Sequence, residues 1–201
     1  MPGLSLREIL HLDMGLDITP ISLEQLLDKP SEFCVKVISK CHPLEHFARY
    51  LQLGYYPFYF EQKQEYYDKL ENTINYIIDV ELTKYRSLDV GYTRQVKALL
   101  HVISQMVPYE VDIAKLSKAS AISRLSTLKY LTHLDEARLI RRLFTDLKNV
   151  TDLQKPDKMY LDNTNLLYTL SQEMPETGTV RETFFANQLA SAGHVVEYAG
   201  F

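Results

Sequence analysis

Residues 112–136 read Asp112-Ile113-Ala114-Lys115-Leu116-Ser117-Lys118-Ala119-Ser120-Ala121-Ile122-Ser123-Arg124-Leu125-Ser126-Thr127-Leu128-Lys129-Tyr130-Leu131-Thr132-His133-Leu134-Asp135-Glu136. The short side chain of Asp112 suits an N-cap, which predicts a helix over Asp112–Ala119 with Ile113 and Leu116 turned inward. Ser120-Ala121-Ile122-Ser123 then makes a four-residue turn. A further helix is expected from about Arg124 to Glu136, with Leu125, Leu128, Leu131 and Leu134 inward. Two helices joined by a tight turn form a helix-turn-helix.

The flanks extend this unit. Upstream, Val96, Leu99, Leu100, Ile103 and Val107 recur at helical spacing until Pro108 stops them. Downstream, Leu139-Ile140-Arg141-Arg142-Leu143-Phe144 alternates as a strand does, Asp146–Pro156 is a polar loop, and Lys158-Met159-Tyr160-Leu161 reads as a second strand. Three helices followed by a two-stranded ribbon predict a winged helix-turn-helix. The outer face of its third helix is expected to present Arg124, Ser126, Thr127, Lys129, Tyr130 and His133, residue types that bond phosphates and base edges. The candidate nucleic-acid-binding residues are therefore Arg124, Thr127, Lys129 and Tyr130, with Arg141 and Arg142 on the wing. A polar face that packs on another domain is the alternative.

Charge separates this piece from the rest. The 201 residues carry 22 Lys and Arg against 26 Asp and Glu, a formal charge of −4 that excludes a histone-like polycation. From Ile113 to Val150, eight basic residues face three acidic ones, a net of +5 inside a surround of −9. Each contact to a nucleic-acid phosphate needs a cation, so the asymmetry fits a backbone-binding footprint. No apolar run reaches the roughly 18 residues of a membrane helix, and the first residues lack a basic region followed by an apolar core. The chain is expected to be cytoplasmic, without membrane contact, and Cys34 and Cys41 to be free thiols.

The remaining sequence predicts mainly helix. The first ten residues read as a loop-like start. Ser22-Leu23-Glu24-Gln25 matches a capping box for a short helix over about 22–29, before Pro30. His42-Pro43 opens another helix, expected to bury Leu44, Phe47, Ala48 and Leu51 and to stop at Gly54. Tyr55-Tyr56-Pro57-Phe58-Tyr59-Phe60 is an aromatic knot that suits core packing better than base stacking, because no positive charge interleaves it. Glu61 to about Leu82 reads as one long helix with Tyr66, Tyr67, Leu70, Ile74, Ile77, Ile78 and Leu82 on its stripe. Asp162-Asn163-Thr164-Asn165 caps a short helix through about Leu170, Val180–Leu189 reads as another, and Val195–Tyr198 as a terminal strand.

Several phrases together resemble a family of prokaryotic AAA+ (P-loop) ATPases, frequent in Bacteroidetes, whose C-terminal half joins a winged helix to a PD-(D/E)XK nuclease-like domain of unknown function. They are Gly3-Leu4-Ser5-Leu6-Arg7-Glu8; Phe47-Ala48-Arg49-Tyr50-Leu51 with Gly54-Tyr55-Tyr56-Pro57-Phe58-Tyr59; Lys115-Leu116-Ser117 with Ile122-Ser123-Arg124; Tyr130-Leu131 through Ala137; Lys155 through Leu166; and Arg181-Glu182-Thr183-Phe184-Phe185. The resemblance implies that residues 1–30 are the trailing edge of an ATPase core, 31–88 its helical lid and connecting helix, 89–162 the winged helix, and 163–201 an incomplete nuclease-like α/β domain. ATP and Mg are implied only for the intact parent, and no cofactor for this chain, because no G-x-x-x-x-G-K-[ST] or G-x-G-x-x-G occurs in it. The nuclease site of such a domain needs paired carboxylates on a metal, and only Glu182 lies in the matching region. The expectation is a non-catalytic C-terminal part of such an ATPase, with DNA, an ATPase core or another copy of itself as partner. A free-standing DNA-binding regulator and a helical interaction module are the alternatives.

Two other constellations carry less. Cys34, Cys41, His42 and His46 place four zinc-type ligands within thirteen residues, but Cys41 and His42 are adjacent and finger-like spacing is absent, so no metal site is expected. No Gly-x-Ser-x-Gly elbow occurs, and the Ser, His and Asp residues read as caps and surface groups.

Overall fold

The computed structural model describes residues 3–61, 63–86, 90–145 and 154–199. Most of the expected loop 146–156, including Lys148, lies outside the described residues. The chain is mainly helical with a small antiparallel sheet, and it divides into two compact units, Pro2–Tyr66 and Tyr67–Phe201.

In the first unit, α1 (Leu6–Met14) replaces the loop expected at the start. The signal is a second capping box: Ser5 Oγ accepts from the Glu8 amide at 3.3 Å, and the Glu8 carboxylate accepts from the Ser5 amide at 2.7 Å. Gly15 closes the helix at φ +66°, a left-handed conformation that suits glycine. The expected capping box at Ser22 and Gln25 starts α2 (Leu23–Asp28), and Pro30 then opens α3 (Pro30–Ile38) as its first residue.

Helix α4 (Pro43–Gln52) ends before Gly54 as expected, but its buried face differs. Tyr50 is buried and donates to the Leu4 carbonyl at 2.7 Å, whereas Leu44 is 80% exposed and Ala48 is exposed. Helix α4 is thus anchored near its C-terminal end, by Tyr50 on Leu4, while its first turn holds no buried residue. The aromatic knot is core: Tyr55, Tyr59 and Tyr66 are buried, and the Tyr59 and Tyr66 rings meet edge to face at 6.3 Å. Cations do reach this knot, from outside its own segment, with Lys63 Nζ 4.6 Å and Arg49 Cζ 5.6 Å from the Tyr59 ring centre.

The long helix expected from Glu61 is shorter and interrupted. Pro57–Phe60 forms a 3₁₀ turn, α5 runs Tyr66–Tyr76, Ile77–Leu82 widens into a π-helical segment, and α6 (Thr83–Arg86) follows. Leu70, Ile74, Ile78 and Leu82 are buried as the spacing predicts, while Tyr67 is exposed.

In the second unit, α7 (Val90–Ser104) buries Val96, Leu99, Leu100 and Ile103. Strand β1 (Tyr109–Glu110), which the alternation did not reveal, leads to α8 (Ile113–Ser120), capped by the Asp112 carboxylate on the amides of Ala114 and Lys115. Ala121 at φ +55° turns the chain, and α9 (Arg124–Glu136) begins after the Ser123 cap. Strands β2 (Ile140–Leu143) and β3 (Lys158–Leu161) pair antiparallel with Ile140 opposite Leu161 and Leu143 opposite Lys158, and β3 also pairs with β1. Asn163 caps α10 (Thr164–Leu170), and α11 (Thr177–Ser191) is longer at both ends than expected.

Residues 195–198 form no regular strand. They still find a partner, because the Tyr198 amide donates to the Phe144 carbonyl at 3.0 Å and Val196 and Tyr198 pack on Leu143, Tyr160 and Ala186.

Candidate nucleic-acid interface

Helix α9 is rotated relative to the leucine stripe expected for it. Leu131 and Leu134 are fully buried, but Leu125 is 65% exposed and Leu128 only partly covered. The reason is periodicity. At about 100° per residue, the nine positions from Leu125 to Leu134 turn the helix through about 900°, half a turn out of phase. Leucines at every third residue therefore wind round the helix, and the true inner face is Thr127, Tyr130, Leu131 and Leu134, at spacings of three, four and seven.

That rotation changes the candidate site. Thr127 is buried and its hydroxyl donates back to the Ser123 carbonyl at 3.0 Å. Tyr130 is buried edge to face on Tyr92 of α7, ring centres 4.8 Å apart, and its hydroxyl donates to Gln95 Oε1 at 2.7 Å. His133 is buried against the Tyr92 hydroxyl. Tyr130 and His133 pack the helix onto α7, and none of the three is presented outward. Of the expected outer face, Arg124 and Lys129 are exposed and Ser126 is half-buried.

The two arginines of β2, expected on a wing, are also turned inward. Arg141 Nη2 lies 2.6 Å from Asp162 Oδ1, both side chains nearly covered. Burial pushes the Asp162 carboxyl above the usual carboxylate range, against the opposing pull of Arg141 and, to a smaller extent, Arg138. Arg142 donates from Nε to Asp135 Oδ2 and from Nη1 to Thr132 Oγ1, each at 3.0 Å, so it ties β2 to α9. Neither guanidinium is available to a phosphate.

Two cations outside the expected set belong to the exposed surface. Lys115 and Lys118 on α8 are exposed, like Arg124 and Lys129 on α9, and among the described residues none of the four pairs with a carboxylate. A sequence signal for them exists: from Ile113 to Leu134 the chain has four Lys or Arg and no Asp or Glu. Arg124 also sits in the first turn of α9, where the positive end of the helix dipole favours anions. The surface is thus cationic and offers charge and N–H donors for a backbone, while the side chains best suited to reading base edges are inside.

Elsewhere, Glu182 on α11 accepts from Lys158 Nζ at 2.8 Å and from the Tyr160 hydroxyl at 3.0 Å, which fastens α11 to β3. The bond from Lys158, foremost, holds the Glu182 carboxyl below its usual range. Cys34 is exposed and Cys41 buried, and among the described residues no three His, Cys, Asp or Glu side chains converge as a metal site would require. Among the same residues no helix is long and apolar enough to cross a membrane. Comparison of the chain with protein-family models, with curated proteins and with solved structures finds no match, so residue geometry carries the functional argument.

Proposed function

We propose that this chain is a non-catalytic binding module: a winged helix, built from α7, α8, α9 and the three strands, that holds a nucleic-acid backbone through Lys115, Lys118, Arg124 and Lys129. The observation that carries this reading is the acid-free cationic run from Ile113 to Leu134, all four of whose Lys and Arg side chains are exposed. Because Thr127, Tyr130 and His133 are consumed by packing, binding depends on phosphate charge and little on base identity.

Four phosphate contacts correspond to a salt slope of about −3.6 in log affinity per log salt, so raising salt from about 50 to 200 mM weakens binding roughly 150-fold. Fluorescence anisotropy with a mixed-sequence duplex measures this. The Arg124→Ala, Lys129→Ala double variant should halve the slope. Undetectable binding at low salt, or a double variant that binds like the parent, overturns the reading.

The family resemblance supports a second layer. In that reading the module is a regulatory part of an AAA+ ATPase, residues 31–88 are lid and connector, and residues 163–201 belong to a nuclease-like domain. The absence of a phosphate loop from the sequence favours catalytic silence of this chain. ATP turnover by the purified chain would refute it.

A further inference from the structure

We propose that the nucleic acid held by this module is duplex DNA, and that Leu125 is its specificity-determining residue, covering thymine C5-methyl groups in the major groove. The inference rests on the backbone-binding reading above and adds one base contact to it. Leu125 is 65% exposed, and among the described residues of α7, α8, α9 and the three strands no other large apolar side chain is exposed.

Its place on the helix gives this exposure a meaning. At about 100° per residue, with Arg124 as origin, Leu128 lies at about 40°, Leu125 at about 100° and Lys129 at about 140°. Arg124, Leu125 and Lys129 are exposed and Leu128 is half-buried. The buried Tyr130, Leu134, Thr127 and Leu131 occupy the opposite arc, from about 240° to about 340°. One face of α9 therefore sets two leucines between two cations, and whatever Arg124 and Lys129 hold lies over Leu125. The open face ends within its first turns: Thr132, at about 80°, is buried and accepts from Arg142 Nη1 of β2 at 3.0 Å.

Charge and shape name the occupant. With no Asp or Glu between Ile113 and Leu134, the exposed leucine sits in a cationic rim that suits a polyanion better than an apolar protein patch. A helix about 10–12 Å across fits the B-DNA major groove, about 12 Å wide. There the two cations reach phosphates on the walls while Leu125 faces the floor, where the thymine methyl is the apolar group. A-form RNA has a major groove too narrow for a helix, and its uracil lacks that methyl.

Fluorescence anisotropy of the full chain at about 50 mM salt compares an A·T-rich duplex with the same duplex carrying uracil for every thymine, which removes only the methyls. The expected loss is about fourfold for each methyl covered. Leu125→Ala should bind the thymine duplex as weakly as the parent binds the uracil one, no longer separate the two, and keep the salt slope of about −3.6. Because Leu125 is exposed and alanine favours helix, this variant should retain the far-ultraviolet helix signal. Equal affinity of the parent for both duplexes overturns the proposal, and salt-dependent binding in that case leaves the backbone reading standing. A Leu125→Ala chain that still separates them, or a duplex RNA of the same sequence bound as tightly as the thymine duplex, also overturns the proposal. Undetectable binding to either duplex overturns both readings.

Discussion

Replacing Asp162 by Ala leaves the Arg141 guanidinium buried with its countercharge removed. The Arg141 side chain is 12% exposed and that of Asp162 only 5%, so water can do little to compensate for the loss of a 2.6 Å ion pair. Breaking one side of such a pair costs about 3–5 kcal/mol, a large share of the roughly 5–15 kcal/mol that stabilises a typical domain. For a chain of this length each kcal/mol moves the melting temperature by about 2–4 °C, giving a fall of about 6–20 °C. The double replacement Arg141→Met, Asp162→Leu removes both charges and should recover most of the loss. Differential scanning calorimetry of the parent and the two variants measures both changes. An Asp162→Ala fall below about 2 °C, or a double variant no better than the single one, refutes the buried-pair reasoning. The same series separates structure from binding. Arg141→Met within the double variant should leave duplex affinity unchanged, because that guanidinium faces Asp162 and not the exterior.

Three further outcomes follow from local geometry. Ala121→Gly should raise stability by about 0.5–1 kcal/mol in urea unfolding, since Ala121 holds a left-handed conformation at φ +55° that glycine adopts without strain. Gly3→Ala should destabilise the first unit by about 1–3 kcal/mol, because its new Cβ would overlap the Tyr55 ring; unfolding followed by tyrosine fluorescence reads this. Stability should also fall in acid. The Glu8 and Glu182 carboxyls are held below their ordinary range, Glu8 chiefly by the Ser5 amide and Glu182 chiefly by Lys158. Their contribution is full above the unfolded value of about 4.5 and is lost as pH drops through the lower folded values. Glu182→Gln should flatten that acid limb in thermal melts taken across it.

The surface carrying the proposed function was only half visible in the linear chain. Arg124 and Lys129 are hydrophilic on any helical projection and are exposed. Tyr130 and Thr127 look equally polar in sequence, but a tyrosine buries its ring readily once its hydroxyl has an acceptor, here Gln95, thirty-five positions away. Arg141 and Arg142 alternate in β2 as a wing strand should. Their partners, Asp162 and Asp135, come from beyond β3 and from α9, and nothing in the local pattern announces either pairing.

Sequence alone determined the elements whose causes are local. Capping side chains at Ser22, Asp112, Ser123 and Asn163 satisfy amides three residues away or nearer, and prolines at 30 and 43 preset a helical φ, so helix starts are written into neighbouring residues. The capping box at Ser5 and Glu8 was written there too, and it starts α1. Tertiary structure decided which face of each helix points inward and which charges are spent internally. Those choices depend on distant surfaces: Tyr92 and Gln95 of α7 select Tyr130, and the carboxylates of Asp162 and Asp135 draw in the two arginines of β2. A helical repeat every third residue leaves its inner face undetermined by about half a turn, and only the surface packed against it resolves the phase.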